Sequence, residues 1–494
     1  MRLTVVGDVL LDRDEIGIVD RVAPDAPVPV LDSLERRDRP GGAGLAAWLA
    51  ARSPEIEVTL ITALGRDEPG ELLRTLLEAA DIQIVDLGTD GCTPEKIRVR
   101  CGQQSLLRLD RGGAPGRLGI PGRDAEAALS RADGVLVADY GRGLTASPAV
   151  RALLADVPAA KPLVWDPHPR GAPPVADCWV VTPNAVEARR FAESLQRGQD
   201  EVPGDDRHQR SPRSMLVSAA ADAIRLRRGW VARAVALTRG PEGAVLAGPT
   251  GSPVLIPCHA VAGGDPCGAG DRFATALLEA LCGRCTTAEA VAWAVEAATA
   301  YVADGGVSGL EPVRPAATPT SSPPAADTSS FEPALQGGTA MPLAAVARHV
   351  AETRSRGGIV VSAGGCFDLL HPGHVRLLAE AARLGDFLIV LINGDESVRR
   401  LKGPGRPIQP ATDRAAVLAA LDAVDMVVVF EEDTPLDALR LLRPDLFVKG
   451  GDYESTDLPE AKLMESWGGQ VVVLPYVTGH STTRLVQEAT TRAR

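Results

Sequence analysis

Lysine, long hydrophobic runs and signal-peptide features are scarce or missing in this sequence. Only five of the 494 residues are lysine, and three of these lie after residue 400. No apolar run approaches the roughly 20 residues that a membrane-spanning helix needs, so we expect no contact with a membrane. The N-terminus is a strand-like run that turns at Gly7 and Asp8, which is unlike a secretory signal.

The eight cysteines show neither a disulfide framework nor a metal-site pattern. Cys282 and Cys285 form a single C-x-x-C pair without a second pair nearby, whereas a structural zinc site needs four ligands. Scattered cysteines are typical of proteins in a reducing compartment. The sequence therefore predicts a cytoplasmic protein.

Length and charge indicate a globular protein of several domains. A chain of 494 residues is too long for one ordinary core, and 45% of its residues are apolar while 23% are charged. The formal net charge of −12 argues against non-specific binding of nucleic acid, which depends on basic residues. We therefore expect small-molecule partners and no nucleic-acid partner.

The most informative stretch runs from Gly364 to His374. It follows the apolar run 358–362, typical of a buried strand, and precedes 375–382, where apolar residues recur at helical spacing. Open α/β sheets bind ligands at such strand-to-helix turns, and glycines beside a helix N-terminus favour phosphate. Two imidazoles on the first helical turn can donate hydrogen bonds to a triphosphate. The candidate residues are Gly365, Cys366, Phe367, Asp368, His371 and His374.

This stretch resembles the signature of the cytidylyltransferase-like nucleotidyltransferases, Gly-x-Phe-Asp-x-x-His-x-Gly-His. The resemblance implies that His371 and His374 bind the nucleoside triphosphate and stabilise it while a phosphate attacks its α-phosphorus. Polar and basic residues in later loops and helices, together with one glycine, are further candidates for nucleotide binding. They are Asn393, Lys402, Arg414, Lys449, Gly450, Asp452, Ser481 and Thr482.

A second motif, at residues 264–273, precedes a long apolar helix. Gly268, Ala269 and Gly270 present backbone N–H groups at the helix N-terminus, a favourable place for developing negative charge. Asp271 stands on the first turn, where it can take a proton from a sugar hydroxyl that attacks a γ-phosphate. The string resembles the signature of the ribokinase-like (PfkB) sugar kinases, which implies ATP as co-substrate.

Two weaker patterns lie in the order that this kinase family has. Asn184 and Glu187 resemble its Asn-x-x-Glu magnesium motif, in which Glu187 would hold Mg²⁺ through water. The alternative is a helix cap at Asn184 with Glu187 three residues on. The stretch 237–243 resembles the family's nucleotide-binding strand and turn. Its candidate residues are Thr238, Gly240 and Gly243.

The candidate sugar-binding residues lie near the N-terminus. Asp8 and Asp12 follow the first apolar strand, where a carboxylate can accept hydrogen bonds from sugar hydroxyls or can instead stabilise a turn. Gly41 and Gly42 precede a helix and let the backbone approach a ligand.

Strand and helix patterns alternate through both halves, which predicts an α/β protein of two domains. We expect a ribokinase-like α/β sandwich at 1–312, a flexible linker at 313–340 and a Rossmann-like nucleotidyltransferase α/β domain at 341–494. Short strands at 83–87, 95–100 and 105–110 could form a separate small β sheet, a lid over the sugar site.

The chain resembles the bifunctional heptose phosphate kinase/adenylyltransferase family nearly from end to end. The resemblance implies phosphorylation of heptose 7-phosphate at its anomeric hydroxyl and, after a separate phosphatase has acted, transfer of AMP to heptose 1-phosphate. It also implies Mg²⁺ and a homodimer. Matching stretches include 21–30, 108–110, 431–435 and 448–453.

Three residues differ from the family pattern. Leu45 stands where the family has Asn, His168 where it has Lys, and Cys267 where Thr or Ser is common. The first two leave room for another sugar or alditol phosphate as substrate, or for a kinase half that only binds and regulates. An intact Asp271 favours a catalytic kinase.

Two cysteines lie beside glycines at expected helix N-termini, where thiolates are stabilised. These are Cys267 and Cys366. We therefore expect a thiol-alkylating reagent to inhibit both activities, and ATP to protect them.

Overall fold

The structure is a computed structural model, and it divides the chain into two compact units. The first unit takes in described residues of 1–205, 219–248 and 256–313, and the second those of 206–218, 249–255 and 314–494. The residues that the structure describes are 1–24, 26, 28–102, 104–112, 116–197, 212–249, 253–258, 264–309, 343–451 and 459–475.

Up to residue 309, with three successive strands at 2–42 and again at 83–111, the chain contains the mixture of strands and helices that the sequence predicts. In chain order they are β1 Arg2–Gly7, β2 Val9–Val22, β3 Pro29–Gly42, α1 Ala43–Ala51, β4 Glu57–Thr62, α2 Glu68–Glu78, β5 Gln83–Asp86, β6 Glu95–Cys101, β7 Gln104–Arg111, α3 Arg123–Arg131, β8 Gly134–Ala138, α4 Pro148–Ala155, β9 Leu163–Asp166, β10 Val180–Val181, α5 Ala185–Arg197, α6 Pro212–Gly229, β11 Ala234–Thr238, β12 Ala244–Ala247, β13 Val254–Ile256, α7 Ala269–Cys282 and α8 Thr287–Ala303.

Local sequence explains where several helices begin. The Asp67 carboxylate accepts the Gly70 N–H at the start of α2. At the start of α8, Thr286 and Glu289 form a reciprocal capping box. Each cap satisfies backbone N–H groups that have no partner within the helix.

The main sheet of the first unit contains the order β5-β4-β1-β8-β9-β10-β11-β12. All neighbouring pairs in it are parallel except β11 and β12. The chain order reverses at β1, which lies between β4 and β8, and ligands of such sheets bind at this reversal. Asp8 immediately follows β1, so the first strand delivers a carboxylate to that point.

A separate four-stranded sheet has the order β3-β2-β6-β7. We call it the lid. The sequence predicts its strands β6 and β7, but it wrongly adds residues 83–87: β5 pairs in parallel with β4 of the main sheet. The other two lid strands, β2 and β3, are 14 residues long each and pair antiparallel.

The second unit is a parallel sheet with helices between its strands. Its order β16-β15-β14-β17-β18 is that of a doubly wound sheet, with the chain order reversing at β14. The elements are α9 Leu343–Ser355, β14 Val360–Gly365, α10 Pro372–Ala382, β15 Phe387–Asn393, α11 Asp395–Lys402, α12 Ala411–Ala419, β16 Met426–Phe430, α13 Leu436–Leu442, β17 Leu446–Gly451, α14 Pro459–Glu465 and β18 Gln470–Pro475.

Fully buried aliphatic side chains line this second sheet, among them Val360, Ile389 and Leu391, with Phe447 beside them. Strands buried on both faces read as continuous apolar runs, which is why the sequence predicts them. None of the described helices is long and apolar enough to cross a membrane.

Candidate active sites

In the first unit, α7 begins at the glycine-rich motif. Gly268 is the N-cap with φ of 81°, a left-handed conformation that favours glycine. A Cβ there would lie 2.6 Å from the Tyr301 hydroxyl, so the site also lacks room for a side chain. The Ala269 N–H donates to the Pro266 carbonyl at 3.1 Å, whereas a Cβ on Gly270 would meet nothing within 4 Å. The start of α7 therefore has open space beside Gly270, where a phosphoryl group can approach.

Asp271 lies on the first turn of α7 and is 6% exposed. Burial raises the pKa of Asp271 to about 7, and the nearby charge of Asp12 adds to the rise. A carboxylate with a pKa near neutrality suits a general base, because it both accepts and releases a proton at working pH.

Asp8 and Gly42 bring the end of β1 against the end of β3. The Ala43 N–H donates to the Asp8 carbonyl at 3.0 Å, and a Cβ on Gly42, whose φ is 64°, would lie 2.5 Å from that oxygen. The Asp8 carboxylate accepts backbone N–H groups of Arg142 at 2.9 Å and Leu144 at 3.0 Å. Asp8 therefore stabilises a turn, the alternative that its sequence position left open, and its contact with sugar stays a prediction.

Asp12 lies on the lid strand β2, where it is 3% exposed. Its carboxylate accepts a hydrogen bond from Arg98 Nη1 at 3.0 Å, and a Cβ on Gly41 would lie 2.9 Å from Oδ2. Arg98 also donates to the Cys267 sulfur at 3.6 Å, beside the glycine-rich motif. We did not predict Arg98 or Lys96 as site residues, although their alternation on β6 places them on one face.

Asn184, Glu187 and Thr238 lie together at the ends of β10 and β11. Asn184 and Thr238 form an isolated bridge, and the Thr238 N–H donates to the Pro183 carbonyl at 2.9 Å. Asn184 Oδ1 accepts the Glu187 N–H at 3.0 Å, while Glu187 Oε2 accepts the Asn184 N–H at 2.9 Å. This is the capping box that the sequence left open as an alternative.

The turn after β11 needs its two glycines. Gly240 and Gly243 have φ of 59° and 83°, and a Cβ on Gly243 would lie 2.0 Å from the Ile256 carbonyl. The nucleotide-binding role of this turn stays a prediction.

The three departures from the family pattern lie close to these motifs. Leu45 is 3% exposed and packs with Tyr301 behind Gly268. His168 accepts the Arg170 N–H through Nδ1 at 3.2 Å, and burial followed by the charge of Arg170 lowers its pKa.

The expectation of stabilised thiolates conflicts with the structure. Burial raises the pKa of Cys267 and of Cys366, so each is held as a thiol. A glycine-flanked helix start does not stabilise a thiolate when the sulfur is desolvated, because loss of water disfavours the charge.

In the second unit, two histidines follow β14 at the reversal of chain order. His371 is the N-cap of α10 and His374 lies on its first turn, with ring centroids 3.8 Å apart and planes 20° apart. Burial and the neighbouring His371 lower the pKa of His374 to about 4. The His374 ring is therefore neutral at pH 7 and can donate only a neutral N–H.

Phe367 packs against the ring of His374 in the histidine pair. It is 3% exposed, has φ of 45° and lies 5.1 Å from the His374 ring. A Cβ on Gly365 would meet the Phe367 ring at 3.0 Å. Phe367 thus fills space beneath the turn, while Cys366 donates to Asn393 Oδ1 at 3.7 Å across the sheet edge.

Asp368 and Arg414 are engaged within the protein. Asp368 Oδ2 accepts from Arg406 at 2.5 Å, and Oδ1 accepts the Ile408 N–H at 2.6 Å. The Arg414 side chain has no exposed surface, and its Nη1 donates to the carbonyls of Cys366 at 2.6 Å and Asn393 at 2.9 Å. Both residues therefore position the backbone of the site, and the structure favours this role over the nucleotide contact that we predicted for them.

Arg414→Met should destabilise the second unit by about 3–5 kcal/mol, because it leaves the carbonyls of Cys366, Asn393 and Gln409 and the Asp395 carboxylate without their partner. Denaturant unfolding of the variant measures this loss. Arg399→Met removes an exposed pair with Glu396 on α11 and should change stability by less than about 0.5 kcal/mol. Equal stability of Arg414→Met and the wild type would contradict the positioning role.

Lys402 and Lys449 are the two lysines closest in sequence to the histidine pair of the second unit. Lys449 Nζ lies 3.2 Å from Glu460 Oε1 at the end of β17, with 38% of its side chain exposed, and Gly450 follows it. Lys402 ends α11. Three predicted residues, Asp452, Ser481 and Thr482, lie outside the described residues, as does the linker at 313–340.

Two family models match the chain, one on each part. The pfkB carbohydrate kinase family matches residues 160–314, and the cytidylyltransferase-like family matches residues 362–488. The bifunctional protein HldE of Streptomyces coelicolor is 48% identical over 492 residues, which cover 100% of this chain and 97% of that protein.

The chain belongs to the family of bifunctional HldE proteins. HldE of Alcanivorax borkumensis is 36% identical, covering 98% of this chain and 96% of its own. HldE of a Caulobacter species is 37% identical, covering 98% and 94%. This membership confirms the predicted fold class and the fusion of a carbohydrate kinase with a nucleotidyltransferase in one enzyme.

Proposed function

We propose that the first site phosphorylates O1 of heptose 7-phosphate with ATP, and that the second joins heptose 1-phosphate to AMP. This proposal rests on one observation. A single chain of this family has two candidate sites, and each lies where the chain order of a parallel sheet reverses. One holds the buried Asp271 and the other holds the stacked pair His371 and His374.

In the kinase reaction, Asp271 takes the proton from the O1 hydroxyl while that oxygen attacks the γ-phosphorus of ATP. The bond from phosphorus to the β-γ bridging oxygen breaks, and ADP leaves. Backbone N–H groups at the start of α7, at Gly268 and Gly270, favour the negative charge that develops. Lys96 and Arg98 lie on one face of lid strand β6, next to Asp12 of β2.

Glu187 is the proposed Mg²⁺ residue, because an ion that keeps several waters needs only one or two carboxylates of the protein. Burial raises the pKa of Asp166, and the charges of Asp271 and Glu187 raise it further, so three carboxyl groups lie near one another there. Glu187 would hold the hydrated ion through water, and Asn184 would orient that carboxylate. When bound, the ion neutralises phosphate oxygens during transfer.

In the second reaction, a phosphate oxygen of heptose 1-phosphate attacks the α-phosphorus of ATP and pyrophosphate leaves. His371 and His374 donate hydrogen bonds to the triphosphate as charge moves onto the leaving group. Lys449 and Lys402 attract the phosphates as point charges. Asp368 and Arg414 hold the surrounding loops in place.

Lys449→Ala should lower adenylyl transfer while sugar phosphorylation stays near normal, because the lysine acts only in the second unit. Rates of pyrophosphate and ADP release measure the two reactions. Lys462→Ala removes an exposed lysine of α14 and should affect neither. Equal loss of both activities in the Lys449 variant would instead indicate coupled or misfolded units.

Another sugar or alditol phosphate is the second candidate substrate, and Leu45 and His168 favour it. The test is incubation of the purified enzyme with ATP and heptose 7-phosphate, with and without a heptose bisphosphate phosphatase. Release of ADP in both mixtures, and of pyrophosphate only with the phosphatase, supports the proposal. Absence of ADP release would favour the other substrate or a regulatory kinase half.

We also propose a cytoplasmic homodimer that acts with that separate phosphatase. All eight cysteines are free thiols, and a reducing compartment keeps thiols in that form. The lid exposes large apolar side chains, including Leu34 at 70% and Leu107 at 53%, and a second copy of the chain could cover them. Light scattering of the purified protein measures the mass that decides this.

A further inference from the structure

A buried hydrogen bond joins Asp271 to the loop after β8. The Tyr140 hydroxyl donates to Asp271 Oδ1 at 2.7 Å. Burial, followed by the charge of Asp271, raises the pKa of Tyr140 well above its usual value, so this hydroxyl keeps its proton. Tyr140 therefore acts only as a donor toward the base.

Hydrogen bonds to Asp8 and Asp139 hold the loop that carries Tyr140 in place. The Tyr140 N–H donates to Asp8 Oδ2 at 3.3 Å, in addition to the two other backbone N–H groups that Asp8 accepts. Asp139 accepts the Gly141 N–H and the Thr145 hydroxyl, each at 2.7 Å. A Cβ on Gly42 would meet the Tyr140 ring at 3.5 Å. These contacts fix the position of the Tyr140 hydroxyl.

Several charged or titratable groups face Asp271 from the elements around it. Burial raises the pKa of Asp271, Asp12 of β2 adds to the rise, and Tyr140 and Lys96 of β6 oppose it. Asp166 of β9 and Tyr301 of α8 also interact with its charge. The net effect, in which burial is the largest cause, therefore shifts Asp271 toward the neutral acid, which cannot accept a proton.

We propose that Tyr140 is a positioning residue of the kinase reaction. Its hydroxyl holds Oδ1 of Asp271 and keeps the carboxylate ionised, which leaves Oδ2 to take the proton from the sugar hydroxyl. The tyrosine exchanges no proton with the substrate. This inference rests on the proposed role of Asp271 as the base.

The test is the dependence of kcat/KM for phosphorylation on pH in Tyr140→Phe, which keeps the ring and removes the donor. Loss of one hydrogen bond to a charged group should move the acid limb up by about one pH unit. With a base whose pKa is about 7, the activity at pH 7 should fall about fivefold and recover near pH 9. The same fractional loss at every pH, or no loss, would overturn the proposal.

Tyr301→Phe is the matched control, because its hydroxyl donates to the Cys267 carbonyl at 3.0 Å and not to the base. Its acid limb should stay at the wild-type position even where kcat falls. Denaturant unfolding of Tyr140→Phe that matches the wild type shows that the kinase unit is folded, and an earlier transition would mean that Tyr140 supports the fold instead. The proposed function itself fails, separately, if Asp271→Asn still phosphorylates the sugar.

Discussion

Asp271→Asn should abolish sugar phosphorylation, with a loss of about 10²–10⁴-fold in kcat, the usual worth of a positioned general base. The amide keeps the shape of the side chain but cannot accept the proton from the sugar hydroxyl. Its neighbours at the start of α7 remain, so ATP should still bind. The measurement is ADP release with heptose 7-phosphate, alongside calorimetric binding of ATP.

The same variant should adenylylate supplied heptose 1-phosphate at the wild-type rate, because the second site lies in the other unit. Asp124→Asn, on the exposed side of α3, is the control for the loss of a carboxylate and should leave both rates unchanged. Phosphorylation by Asp271→Asn at more than a tenth of the wild-type rate would contradict the role of this residue.

His374→Ala should have the reverse effect, with a loss of about 10²–10³-fold in adenylyl transfer and normal phosphorylation. The ring is neutral at pH 7, so what disappears is a fixed hydrogen-bond donor and its contact with His371. Pyrophosphate release from ATP and heptose 1-phosphate measures the loss. His349→Ala, in α9 of the same unit, should retain adenylyl transfer near the wild-type level.

Mixing the two inactive variants tests whether the units work independently. The intermediate must leave the protein, since its 7-phosphate is removed by a separate phosphatase. Asp271→Asn and His374→Ala together, with that phosphatase, should therefore restore synthesis of ADP-heptose from heptose 7-phosphate. If the mixture stays inactive while each retained half-reaction is normal, the intermediate passes within one molecule and the independence is wrong.

The sequence predicts the parallel sheets well and the lid poorly, and the reason lies in how each is buried. Strands such as β15 are covered on both faces and appear as unbroken apolar runs. Lid strand β2 instead buries charged residues, with Arg13 paired to Asp38 at 2.6 Å and to Glu95 at 2.7 Å. Such pairing across strands depends on register, and hydrophobic periodicity does not show it.

The motifs identify both candidate sites, but they do not distinguish residues that face a substrate from residues that hold the site. The sequence predicts Asp8, Asp368 and Arg414 as ligand contacts, and in the structure each of them makes at least one hydrogen bond to a backbone group of the site. A motif records that a residue type belongs at a position. The direction of its side chain depends on contacts with residues such as Leu144 and Ile408, far away in the sequence.

Asp8 is the single residue between β1 of the main sheet and β2 of the lid. Hinges of closing domains are a few residues at the ends of elements that absorb the rotation. If the lid moves to admit sugar, Asp8 is one of the connections that must bend, and its carboxylate also holds the loop of Tyr140 and, through it, Asp271. Opening of the lid for product release would then weaken the contacts that position Asp271. The base is therefore fully positioned only when the lid is closed.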